Sequence, residues 1–190
     1  MKFTKLAASL AIISLLQGCV AAAVVGVVGG ASVASDNRTV GTQIDDQQIE
    51  IVGYARLAEH QGLKENANLQ ITAVNGSILL VGQTPNTYLR DEAIKILKAV
   101  NGVEQIHNQV RIGNEISVTT KSNDLWLTSK VKTALFGNDN LDATNIKVVT
   151  ENAEVFLMGL VTEQEATEAV NVARNISGVN RVIKAFEYVK

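Results

Sequence analysis

The sequence predicts an α+β protein of two tandem αββαβ units, each a small mixed three-stranded sheet with two helices packed on one face. Three observations predict it. The chain repeats itself: "LQITAVNGSILLVG" (69–82) aligns with "IKVVTENAEVFLMG" (146–159), so that Leu69, Ile71, Ile78, Leu80 and Gly82 meet Ile146, Val148, Val155, Leu157 and Gly159 at an offset of 77. Apolar residues alternate in 69–74 and recur in 78–81 as in paired strands, without a polar residue between them in 78–81, and Asn75-Gly76 between the two stretches is a strong hairpin signal. Downstream, "DEAIKILKAVNGVEQIHNQVRI" (91–112) lies against "TEAVNVARNISGVNRVIKAFEY" (167–188) at an offset of 76, the one-residue change falling at the Pro85 turn.

The N-terminus precedes the repeats. Two early cations, Lys2 and Lys5, are followed by "LAASLAIISLLQG", an apolar core of about a dozen residues ending in small or polar ones, which is the anatomy of a signal peptide over 1–18. Cys19 is the only cysteine, so an intramolecular disulfide is excluded by counting. "LQGC" resembles the lipobox of bacterial lipoproteins. The resemblance implies a diacylglycerol thioether on Cys19, cleavage after Gly18 and acylation of the new N-terminus. Several acyl chains, at about 0.8 kcal/mol per buried methylene, make such an anchor effectively permanent. By resemblance to enterobacterial lipoproteins, Val20 after the cysteine implies the outer membrane. "VAAAVVGVVGGASVAS" (20–35) is short for a membrane span, which needs about 20 residues. With the polar "DNRTVGTQ" (36–43) it makes 19–44 an acylated N-terminus and flexible tether.

The first unit is expected over 45–113, a linker over 114–121 and the second unit over 122–190. "DDQQ" from Asp45 and "SND" (122–124) both offer N-cap chemistry. Helices of about a dozen residues follow, to Glu59 and Phe136. Two strands come next, with Asn152-Ala153 as a weaker turn in the second unit. A second helix is expected over 88–100 and 163–176, with Leu89, Ala93, Ile96, Leu97 and Val100 at helical spacing. Gly102 and Gly178 suit the left-handed C′ position that closes it, and a third strand ends each unit. Domains near 65 residues bury only about 60% of their unfolded surface, so the two units are expected to support each other.

Composition excludes several function classes. The formal charge of −2 becomes about −4 once Lys2 and Lys5 are removed, and aromatics make up 4% of the chain, so no electrostatic footprint for nucleic acid is present. His60 lies in a polar connection and His107 in a strand without a recurring partner; two histidines and one cysteine do not make a zinc site of the usual kind. Asp45-Asp46 and Glu163-Gln164-Glu165 lie where helices are expected to start, where negative charge complements the helix dipole. No catalytic pair or phosphate-cradling loop is found, so no enzyme, metal or cofactor is expected.

One residue stands out. Trp126 is the only tryptophan, in "SNDLWLTSKVKTALF" (122–136). At about 100° per residue, Leu127, Val131, Ala134 and Leu135 share a face that should pack on the sheet, and Trp126 lies more than about 100° from its centre. Lys130 is one turn on, Ser129 and Thr133 share that side, Leu125 and Phe136 flank it, and Lys121 and Lys132 add positive charge. The residues admit two readings: an interfacial anchor whose indole sits at headgroup level beside anionic lipid, or a plug between the two units. The first unit's equivalent stretch has acids and a single Arg56, with no tryptophan.

The double repeat, the "LLVG" and "FLMG" strand endings and the "NGVEQIHN" and "SGVNRVIK" turns resemble BON domains, and the resemblance covers essentially the whole chain. Lipoproteins with two such domains are implicated in binding anionic phospholipid through the first helix of the second domain. The resemblance therefore implies a phospholipid-binding role for Trp126, with Leu125, Lys130, Thr133 and Phe136 as its neighbours on that helix. It further implies phosphatidylglycerol as a ligand, a role in envelope integrity and localisation to the division site. Contact with the outer-membrane protein assembly machinery and with division-site amidase regulators is implied too. The alternative is a periplasmic protein-interaction or chaperone-like module whose Trp126 face binds a protein.

Overall fold

In a computed structural model, residues 39–189 are described; the signal peptide, Cys19 and the tether up to residue 38 lie outside them. The elements run α1 (Val40–Glu59), α2 (Gln61–Asn66), β1 (Asn68–Val74), β2 (Ser77–Thr84), α3 (Thr87–Lys98) and β3 (Gln105–Ile112). The second unit repeats the plan with α4 (Val118–Phe136), a short 3₁₀ turn (Ala143–Asn145), β4 (Ile146–Glu151), β5 (Glu154–Val161), α5 (Glu163–Arg174) and β6 (Arg181–Tyr188). Each sheet is mixed: β1 and β2 form an antiparallel hairpin and β3 returns parallel to β2, and β4, β5 and β6 do the same. This is the α+β architecture with two three-stranded sheets that the repeat predicts.

The first helix of each unit starts earlier than expected, which corrects the reading of its acids. Thr39 caps α1, its Oγ1 accepting the Thr42 N–H at 3.1 Å, and Ser117 caps α4 in the same way from Thr120. Helix α4 therefore occupies half of the stretch read as linker. Asp46, buried inside α1, accepts the N–H groups of Asn75 (2.9 Å) and Gly76 (3.0 Å). Asp124 does the same for Asn152 and Ala153. These aspartates hold hairpin turns, not helix starts. At α5 the acids do cap: Thr162 and Glu165 form a reciprocal capping box. Its bonds, led by that from the Thr162 N–H, hold the Glu165 carboxyl below the usual range.

The glycines in the last third of β2 and β5 explain themselves by close approach. A Cβ on Gly82 would stand 2.0 Å from the Asn68 carbonyl oxygen, and one on Gly159 would stand 2.1 Å from that of Asn145. Gly102 and Gly178 have positive φ, as expected, but α3 and α5 already end at Ala99 and Asn175, so both glycines serve the following turn and not the C′ position.

Packing then makes one body of the two units. Ile71, Ala73, Ile78 and Leu80 face Ile49, Leu57, Leu89, Ala93 and Leu97 of the helices. In the second unit Val148, Val155 and Leu157 face Val131, Leu135, Ala169 and Ala173. The other faces of the sheets meet: Val74, Leu79 and Val81 pack with Val149, Phe156, Met158 and Ala185. The result is a helix–sheet–sheet–helix sandwich in which β2 is buried along its whole length. Mutual support between the units, expected from their size, takes this form.

Polar contacts rim the shared core. Gln83 donates to Glu151, Asn75 donates to Glu187 at 2.7 Å, and Lys147 donates to the Ala73 carbonyl at 2.8 Å. Glu154 pairs with Arg111 (2.6 Å) and Arg181 (2.9 Å).

Candidate functional site

Helix α4 is apolar on two opposite sides. Asp124, Leu127, Val131 and Leu135 are buried toward the second sheet. About half a turn around the helix lies a second apolar stripe: Val118 is 79% exposed, Leu125 71%, Phe136 65% and Trp126 63%. Four large apolar side chains on one face of a helix about 28 Å long form a patch, not scattered surface residues. Among the described residues no helix is long and apolar enough to cross a membrane.

The polar residues between them are already satisfied within the helix. Ser129 Oγ donates to the Leu125 carbonyl (3.0 Å) and Thr133 Oγ1 to that of Ser129 (2.9 Å), so neither hydroxyl proton needs water. Lys130 Nζ donates to the Ser177 carbonyl at 2.7 Å and lies 6.0 Å from the Trp126 ring centroid, within cation–π range. Lys121 and Lys132 stand on the opposite border of the stripe. The face is thus an apolar strip edged by ammonium groups, of which that of Lys130 is held by the Ser177 carbonyl and that of Lys121 by Glu115 and Asn68, while Lys132 has no ion pair among the described residues.

The structure places all five predicted helix residues, Leu125, Trp126, Lys130, Thr133 and Phe136, on this outward side. Trp126 does not insert between the units; the plug reading is corrected, because the shared core is filled by the two sheets and α4 lies outside them. Cys19 falls outside the described residues. Val118 was missed, since it lay in the stretch read as linker; the sequence signal was its seven-residue spacing from Leu125, two helical turns on the same face. His60 N-caps α2 with Nδ1 facing the Leu63 N–H at 3.3 Å. No cluster of three potential metal-ligating side chains is found among the described residues.

Comparisons agree with this architecture. The BON domain family model matches residues 45–114 and 123–190. The outer membrane lipoprotein DolP of Haemophilus influenzae is 41% identical over 185 residues, spanning 97% of this chain and 96% of that protein. A 21 kDa hemolysin of Actinobacillus pleuropneumoniae is 41% identical over 155 residues, with 82% and 80% covered. Osmotically-inducible protein Y of Escherichia coli is 29% identical over 156 residues, covering 80% and 77%.

Proposed function

The chain belongs to the BON-domain family, as a lipoprotein of the DolP type, and on that premise we propose that it is a non-enzymatic outer-membrane lipoprotein that binds anionic phospholipid through the outward face of α4. Cys19 carries the acyl anchor, and the folded units face the periplasm. The anchor confines α4 near the leaflet and raises its effective concentration there, so a weak headgroup site suffices to select anionic regions such as those at the division site. Retention at those regions is how the protein supports envelope integrity. The observation that carries the reading is the exposed Val118–Leu125–Trp126–Phe136 stripe with lysines along both borders. Aromatic and aliphatic groups enter the interface while the ammonium groups meet phosphate, each cation near an anionic surface contributing about 1 kcal/mol.

Because Trp126 is the sole indole, its emission tests the proposal. Residues 36–190, which contain both folded units, are titrated with phosphatidylglycerol vesicles and then with phosphatidylcholine vesicles. The expected result is red emission in buffer, a blue shift with phosphatidylglycerol only, and loss of that shift at high salt. Emission unmoved by anionic vesicles sinks the lipid reading and leaves the protein-interaction module.

A further inference from the structure

The two hairpins treat their outer edges differently. In a hairpin closed by a two-residue turn, the residues flanking the turn exchange both ladder bonds, and every second residue back along the strand points its N–H and C=O outward. For β1 these are Ala73 and Ile71: α1 satisfies both N–H groups and the Ile71 carbonyl, and Lys147 of β4 donates to the Ala73 carbonyl (2.8 Å). Glu50 Oε1 accepts the Ala73 N–H (2.8 Å), and Tyr54 Oη accepts that of Ile71 (2.7 Å) and donates to its carbonyl (3.3 Å). For β4 the outward residues are Thr150 and Val148. At the equivalent places on α4 stand Thr128, whose hydroxyl is spent on the Thr150 side chain (2.8 Å), and Lys132, which is exposed. Among the described residues no hydrogen bond reaches the outward N–H of Val148 or of Thr150, although both residues are buried.

Those groups face a groove. One part, ≈ 530 Å³, runs between Ile146–Val149 and Gln70–Thr72 and is walled by Tyr54, Lys132 and Phe136. A second part, ≈ 410 Å³, continues along Val148–Glu151 and is lined by Leu125 and Thr128 of α4. We propose that this groove receives an extended peptide segment of a partner protein, which adds to β4 as a fourth strand of the second sheet. Outward amides and carbonyls repeating at every second residue match the backbone of an extended chain, which an acyl chain does not offer. A second folded copy is a poor fit, because its own β4 is recessed between the same walls. Lys132 has no ion pair among the described residues, so the segment carries a carboxylate against it. The proposal does not rest on lipid binding.

The full acylated chain, in detergent micelles, is panned against a displayed library of random octapeptides, and the enriched octapeptide is synthesised. We expect alternating β-branched residues with one Asp or Glu, and hydrogen exchange at Val148 and Thr150 slowed at least tenfold by the bound peptide. Val148→Pro removes an N–H with no ladder role, a change that edge strands tolerate, and is expected to weaken binding at least tenfold. The Thr128→Glu/Lys132→Tyr double variant transplants the first unit's plug and is expected to do the same, which keeps the test decisive if the proline variant fails to fold. Failure to enrich any sequence overturns the proposal, as does equal binding to both variants or peptide protection that maps elsewhere. So does protection of Val148 and Thr150 in the free chain, whether from dimers or from residues 20–38.

Discussion

At Asp124 the carboxylate accepts the N–H groups of Asn152 (2.7 Å) and Ala153 (2.8 Å), which both sit at positive φ, 52° and 60°. A left-handed L-residue costs roughly 1–2 kcal/mol, so Ala153 makes this the more strained of the two turns; the first has Gly76 in its place. Asp124→Asn leaves one of two charge-assisted bonds without an acceptor and is expected to lower stability by about 2–3 kcal/mol in urea melts. Ala153→Gly should raise it by about 0.5 kcal/mol after the added chain entropy of glycine; a loss would show that the turn holds no strain. Glu151 offers a pH test. Burial first, then Asp124 nearby, raise its carboxyl above the usual range, while the Gln83 hydrogen bond opposes them. A folded pKa above the unfolded one stabilises the protein at low pH, and that contribution is lost as pH rises through the folded value. Glu151→Gln keeps an acceptor for Gln83 and removes the charge. Its melting temperature should exceed that of the parent by about 2 °C at pH 7, with the gap closing below about pH 4.

At the scale of the element, α4 separates folding from function by face. Phe136 and Leu125 contribute little to the core, so Phe136→Ser and Leu125→Ser are expected to change stability by less than about 0.5 kcal/mol each. Both should nevertheless weaken binding to phosphatidylglycerol vesicles severalfold in sedimentation assays. Loss of stability without loss of vesicle binding would mean that the stripe serves the fold. The outward face was legible in the sequence because Leu127, Val131 and Leu135 fix the buried side and the rest follows from helical geometry. The start of the helix was not. "SND" has the composition of an N-cap, yet its aspartate bonds a turn 28 residues downstream, a long-range use that no local pattern announces. With the cap at Ser117, Val118 joins the helix, and with the cap at Thr39, Asp46 falls inside α1 and not at its start. The β4 groove was equally invisible, since it depends on which strands become edges and on how the two sheets stack.

At the scale of the molecule, the repeat and the hairpin signal made the two sheets legible, whereas the way the units meet was written only in the apolar run of β2 and β5. A strand with one solvated face alternates; "SILLVG" and "VFLMG" do not, because one face meets helices and the other meets the opposite sheet. Phe156 lies in the shared core, 2% exposed, among residues of both units. Phe156→Ala should therefore cost about 3–5 kcal/mol, and the loss should be felt in both halves. Native-state hydrogen exchange at Leu80 and Leu157, one central-strand amide from each unit, reads the two halves separately. We expect both amides to exchange through the same global opening in the parent, and both to lose protection by the same factor in Phe156→Ala. If Leu157 loses protection while Leu80 keeps it, the units unfold independently, and the sheet–sheet contact is an interface between two self-sufficient domains, not the core of one.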